Sequence, residues 1–219
     1  MRLYESAEKA KITVISGPFG AGKTNVAVNI ALDLAMHGKK CRVADLDTVN
    51  PYFRSADNKQ MLEELGIQTL IPEFANTNVD IPAMPPNYNL IFTGEGRSIV
   101  DAGGDADGAA VLGVSHDDYI KSGYSMYFVY NRFRPLSADP DDALELMFGI
   151  QRACGLNFCG IINNSNLGAE TAKEHIELSR AAAETLAEKV GIPIIFTTSP
   201  DYLDIPGTVK IKNVTKKLF

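Results

Sequence analysis

Between Val14 and Val28 the chain reads VISGPFGAGKTNVAV, and the spacing Gly17-x-x-x-x-Gly22-Lys23-Thr24 is that of a phosphate-binding loop. Such a loop works through backbone N–H groups aimed inward and the positive end of a helix. Glycines let the backbone approach a phosphate and take conformations that a Cβ forbids. The expected nucleotide contacts are therefore Gly17, Pro18, Phe19, Gly20, Ala21, Gly22, Lys23, Thr24 and Asn25. Lys23 would reach the β- and γ-phosphates, and the Thr24 hydroxyl would ligate Mg²⁺.

A metal-bound phosphate also needs an acid at the end of an apolar strand. Asp101 in SIVDAGGD has that position, and its carboxylate would hold Mg²⁺ directly or through water. The D-x-x-G spacing places Gly104 where a backbone N–H can sense a γ-phosphate. A third acidic element is DLDTVNPYFRS, where Asp45 and Asp47 lie two apart and share a face if the strand stays extended. One of them could join the Mg²⁺ shell and the other orient an attacking water. Hydrolysis of a phosphoanhydride asks mainly for positioning and charge stabilisation, which carboxylates near the γ-phosphate can supply.

These residues need a scaffold, and the hydropathy pattern describes one. Short apolar runs alternate with longer helical patterns, the layout of a mostly parallel sheet flanked by helices on both faces, an α/β class. KITVIS, CRVADLD, IQTLI, RSIVDAGG, YSMYFVYN, FCGIINN and IPIIFTT read as strands. Thr24 to about His37 reads as a helix, with Ala27, Ile30, Ala31 and Leu34 at helical spacing and Gly38 as its stop. KQMLEELG reads as a short helix. Asp139 reads as an N-cap and Pro140 as a first helical residue, followed by Ala143, Met147, Ile150 and Cys154 on one face. A further helix is expected from about Thr171 to Val190. Residues 72–96 carry Pro72, Pro82, Pro85 and Pro86 and read as an ordered excursion, lid or edge rather than a core helix. No repeat or linker is visible, so residues 1–219 are expected to form one nucleotide-binding domain.

The net charge of −6 disfavours broad nucleic-acid binding, which needs clustered Lys and Arg. Three cysteines without C-x-x-C spacing suit a reducing cytosol. The charged start MRLYESAEKAK lacks a signal-peptide core, and no apolar run approaches the ~20 residues of a membrane span. A cytoplasmic location follows as the expectation. The tail TVKIKNVTKKLF is basic and partly apolar, but Val209 to Lys212 alternates like a strand, so neither a membrane nor a nucleic acid is the expected partner.

Taken in order, the loop, the D-x-D strand end and DAGGD resemble the MinD/ParA class of P-loop ATPases (the CobQ/CobB/MinD/ParA nucleotide-binding domain), to which the nitrogenase iron protein is related. The resemblance runs from about Lys11 to Thr198. It implies a P-loop NTPase fold, an ATP- and Mg²⁺-dependent ATPase, and often a homodimer that sandwiches its nucleotides. It also implies that Asp47 positions water, that Asp45 lies near the metal, and that Asn163 or Asn164 recognises adenine. No N-K-x-D guanine motif is present, which favours ATP over GTP. The chain departs from the pattern at Pro18, where members with the deviant loop carry a lysine that acts across the dimer. Arg54, Arg132 and Arg134 are the candidates to replace that charge. The cluster-binding cysteine of the iron protein is absent after DAGGD, which argues against electron transfer. A regulatory or maturation switch acting on a protein partner is the leading expectation. The alternatives are a ligase or kinase resembling dethiobiotin synthetase, with residues 73–88 lining a substrate pocket, and a partitioning or membrane-positioning ATPase.

Overall fold

The computed structural model describes residues 3–47, 59–72 and 84–214. In chain order these form α1 (Leu3–Ala7), β1 (Ile12–Ser16), α2 (Lys23–Met36), β2 (Cys41–Leu46), α3 (Lys59–Glu64), β3 (Gln68–Leu70), α4 (Leu90–Thr93) and β4 (Arg97–Ala102). They continue with α5 (Ala106–Gly113), α6 (His116–Ser122), β5 (Tyr124–Tyr130), α7 (Pro140–Cys154), β6 (Gly160–Asn163), α8 (Lys173–Val190), β7 (Ile194–Pro200) and β8 (Thr208–Ile211).

The strands make one eight-stranded sheet in the order β3-β2-β4-β1-β5-β6-β7-β8. Every pairing is parallel. An all-parallel sheet is stable only with both faces covered, so its central strands must be apolar throughout rather than alternating. In β1 all five residues are buried, the apolar Ile12, Val14 and Ile15 together with Thr13 and Ser16. On one face α1, α2 and α3 pack over Ile15, Val43, Ile99, Tyr127, Val129 and Ile162. On the other, α4 to α8 pack over Val14, Ala44, Val100, Met126, Phe128 and Ile161.

The helices form for local reasons that the sequence carries. The Asp139 carboxylate accepts from the Asp141 N–H, Pro140 opens α7, and Gly155 closes it in the left-handed conformation. The residues of α7 that it buries are Ala143, Met147, Ile150 and Cys154, the stripe its spacing specifies. α2 differs from a one-sided surface helix, because Val26 and Val28 are buried together with Ala27, Ile30, Ala31 and Leu34. A second layer covers it: α1 lies along α2, with the Tyr4 N–H donating to the Asp33 carboxylate (2.9 Å) and the Tyr4 ring against His37, and the segment after β8 bonds to Asn25 and Asn29 nearer the helix start.

The local signals of α1, α5, α6 and β8 are weak. α1 is five residues long and sits in a charged segment. α5 begins directly after Gly103-Gly104, with Asp105 as its N-cap accepting from the Gly108 N–H (2.7 Å). β8 is an edge strand whose pairing with β7 the sequence alternation hints at but does not require. Among the described residues no helix is long and apolar enough to cross a membrane.

Candidate functional site

The site stands at the carboxyl ends of β2, β4, β1 and β5. The chain leaves β1 toward β2 on one side and later crosses to β5 on the other, so β1 borders the place where the sheet changes direction. Open parallel sheets bind ligands at such a switch point.

The glycine-rich loop bridges the end of β1 and the start of α2. Gly22 is the N-cap of α2, with φ 89°, and no side chain caps the helix there. The first turn of α2 holds no acid, which leaves its positive end without an internal counter-charge from that turn. A Cβ at Gly22 would stand 2.4 Å from Asn164 Nδ2, so both the backbone angle and the close approach require glycine. Asn164 Nδ2 donates to the Ala21 carbonyl (2.7 Å), and its Oδ1 accepts from the Thr198 hydroxyl (2.6 Å). Arg134 Nε donates to the neighbouring carbonyl of Gly20 (2.8 Å). Two consecutive loop carbonyls are thus held by side chains from the ends of β5 and β6.

Strand register assembles the acids. Asp45 of β2 pairs with Asp101 of β4, and Asp101 sits beside Ile15 of β1. Alternation along each strand turns both carboxylates to the α2 face, where the Thr24 hydroxyl donates to Asp101 Oδ2 (2.6 Å). Asp45 Oδ1 accepts from the Asp47 N–H (3.1 Å). Lys23, only 6% exposed, lies 3.9 Å from Asp47 Oδ2 and 3.5 Å from the Pro18 carbonyl. The loop after β4 closes on the same place. The Ser16 hydroxyl donates to the Gly103 carbonyl (2.8 Å), and a Cβ on Gly104 would lie 2.4 Å from the Gly17 carbonyl and 2.8 Å from Lys23 Nζ. Thr24, Asp45 and Asp101 supply hard oxygen donors, the chemistry that suits Mg²⁺.

From the loop a cavity of about 810 Å³ runs across the ends of β6, β7 and β8, within the size range of small-molecule sites. Phe19, Gly20, Gly22, Lys23, Thr24, Asn25 and Asp47 line its first part. Asn164, Asn166, Thr198, Asp201, Tyr202 and Lys212 are among the residues lining the remainder.

Some expected contacts need correcting. Asn163 does not line the cavity. It is fully buried, donates to Ser179 and Thr197, and accepts from the Ser165 hydroxyl (2.7 Å). The two-residue period of β6 sends Asn163 and Asn164 to opposite faces, and only Asn164 turns toward the loop. Asn25 does line the cavity, and its side-chain oxygen accepts from the Val214 N–H (2.9 Å). Of the three arginines, Arg134 lines the cavity, while Arg132 donates to the Leu178 carbonyl (3.2 Å) and Arg54 falls outside the described residues. Residues 48–58 and 73–83, which hold the part of DLDTVNPYFRS beyond Asp47 and most of the expected substrate-pocket segment, also fall outside them. Tyr88, from the described end of that wall, packs on Phe92 on the opposite face of the sheet. The contributions of Thr198, Asp201, Tyr202 and Lys212 carry no motif. Their only sequence signal is that they follow or end late apolar runs.

No family model and no curated protein matches the sequence. Solved structures do. The cell division protein FtsY from Thermotoga maritima superposes with a TM-score of 0.55 and 19% identity, over 86% of this chain and 61% of that one. The signal recognition particle 54 kDa protein from Aeropyrum pernix, in complex with GDP, gives 0.52 and 20%, over 86% of this chain and 41% of that one. The signal recognition particle receptor FtsY from Elizabethkingia anophelis gives 0.53 and 13%, over 96% and 66%. At these identities the likeness is one of fold. The chain has the α/β fold of P-loop nucleoside triphosphatases, and it spans less than two thirds of the length of each of these structures.

Proposed function

We propose that the chain is a Mg²⁺-dependent ATPase of the MinD/ParA type that works as a nucleotide-driven switch on a protein partner. The observation that carries this reading is the 2.6 Å bond between Thr24 and Asp101, made across β1, β4 and the start of α2 beside an uncapped helix end. It joins the hydroxyl and the carboxylate that a metal-bound triphosphate requires.

Loop N–H groups and Lys23 would hold the β- and γ-phosphates. Thr24 and Asp101, with Asp45 behind them, would hold Mg²⁺, which when bound supplies charge neutralisation on the phosphate oxygens. Asp47 would orient water in line with the γ-phosphorus. Attack then forms a bond from the water oxygen to phosphorus and breaks the bond to the β,γ-bridging oxygen, releasing ADP and inorganic phosphate. Gly104, packed against the loop and Lys23, would report whether a γ-phosphate is present. Arg134 brings a cation to the same cavity within one chain, and this supports turnover without a charge from a second subunit. The stretch Asn164-Ser165-Asn166-Leu167 after β6 lacks the acid of an N-K-x-D motif, which supports ATP. Asp201 can accept from an amino group of either purine, so GTP is the necessary comparison.

Phosphate release from Mg²⁺-ATP and Mg²⁺-GTP, with Lys23→Ala alongside, tests the reading. Slow release from ATP that the variant lacks supports it. Tight binding of neither nucleotide by the unaltered protein overturns it, and preference for GTP overturns the ATP assignment alone.

A further inference from the structure

The segment that follows β8 is fastened to α2 by side chains rather than by sheet pairing. Asn29, 6% exposed, grips the backbone of Lys212 at both ends: its Nδ2 donates to the Lys212 carbonyl (2.8 Å), and its Oδ1 accepts from the Lys212 N–H (2.9 Å). One helical turn earlier, Asn25 Oδ1 accepts from the Val214 N–H (2.9 Å). Asn29 Nδ2 also donates to the Asn25 carbonyl (2.8 Å), which ties the two asparagines together. Residues four apart on a helix share a face, and residues two apart on an extended segment share an edge. The pair therefore reads the backbone edge of residues 212–214 as a neighbouring strand would. Asn25 directly follows Lys23 and Thr24, while Ile211, Lys212 and Asn213 are among the residues that wall the cavity.

We infer that Asn25 and Asn29 are positioning residues that make the segment 212–214 a wall of the nucleotide site, so that nucleotide occupancy and docking of this segment are thermodynamically linked. The inference rests on the nucleotide-binding reading given above and adds to it the element that encloses the nucleoside end of the ligand. The first turn of α2 is common to both. Its backbone end faces the phosphates, and its side chains hold the wall that a base and ribose would meet. By linkage, a ligand that contacts the docked wall strengthens docking by the same factor that docking strengthens binding.

The test compares ATP with inorganic tripolyphosphate, which engages the loop but has no nucleoside. Asn29→Ala removes both bonds to Lys212, and it should weaken ATP binding about tenfold while leaving tripolyphosphate binding unchanged. In the unaltered protein, hydrogen exchange of the Lys212 and Val214 amides should slow on saturation with ATP and not with tripolyphosphate. Equal loss of both ligands would mean that Asn29 only supports the loop, and no loss of either would mean that the wall is not used. Both outcomes overturn the inference, as does exchange at 212–214 that ignores ATP. If the unaltered protein binds tripolyphosphate and not ATP or GTP, the nucleotide reading fails first, and that result is distinct from the others.

Discussion

Asp45 and Asp101 stand opposite each other on adjacent parallel strands, both fully buried and both turned to the same face. Strands are spaced about 4.8 Å apart, and at a pH where both carboxylates are ionised two unit charges about 5 Å apart repel by about 3 kcal/mol at an effective dielectric of about 20. Asp101→Asn removes one of them. The asparagine oxygen still accepts from the Thr24 hydroxyl, so only the charge-assisted part of that bond is lost, about 1 to 1.5 kcal/mol. In EDTA the variant should therefore be more stable than its parent by about 1.5 to 2 kcal/mol, or roughly 3 to 8 °C in melting temperature for a chain of this size. Saturating ADP with Mg²⁺ should reverse the order, because a cation held by Thr24 and Asp101 would offset the carboxylate charge in the parent and would be held less well by the variant. Differential scanning calorimetry in EDTA and in Mg²⁺-ADP reads both comparisons. A variant that melts several degrees below its parent in EDTA would refute the reasoning, since the two acids would then be net stabilising without a metal.

Asp47→Ala should keep nucleotide affinity within about threefold and lose phosphate release by about a hundredfold or more, as single-turnover assays would show; unchanged turnover removes Asp47 from the mechanism. Gly22→Ala should cost about 2 to 3 kcal/mol, from the left-handed backbone and the displaced Asn164 amide. Gly38→Ala, with φ 69° and open space at its Cβ, should cost only the backbone part, so the difference in urea midpoints isolates the contact with Asn164. Burial pushes the phenols of Tyr127 and Tyr130 up to about 12, above the value near 10 of an unfolded chain. Their raised folded values give stability that is full below pH 10 and declines as the pH rises toward 12. The urea midpoint should fall across that window, and Tyr127→Phe should flatten the fall.

The glycine spacing, the adjoining Lys23 and Thr24, and the acid of SIVDAGGD were legible because each performs its task through local chemistry. A loop that turns back on itself needs glycine wherever it occurs, and an N-cap such as Asp139 works within a few residues. The all-buried strands announced a doubly covered parallel sheet for a similar reason, since alternation is lost only when both faces are packed.

The rest depended on relations between distant segments. Which of Asn163 and Asn164 meets the loop was decided by the pleat of β6, and which of Arg132 and Arg134 lines the cavity by the turn after β5. A motif has no reach beyond its own element, so neither choice could be made from the chain alone. The far wall of the cavity, from Thr198 to Tyr202 and from Ile211 to Asn213, exists because β7 and β8 extend the sheet past β6. The bonds from Asn25 and Asn29 to residues 212–214 join positions more than 180 residues apart. The sequence by itself determined the glycine-rich loop end of the cavity, where backbone geometry and residue type coincide. The tertiary structure alone decided the opposite end, because that surface is built by packing and has no local code.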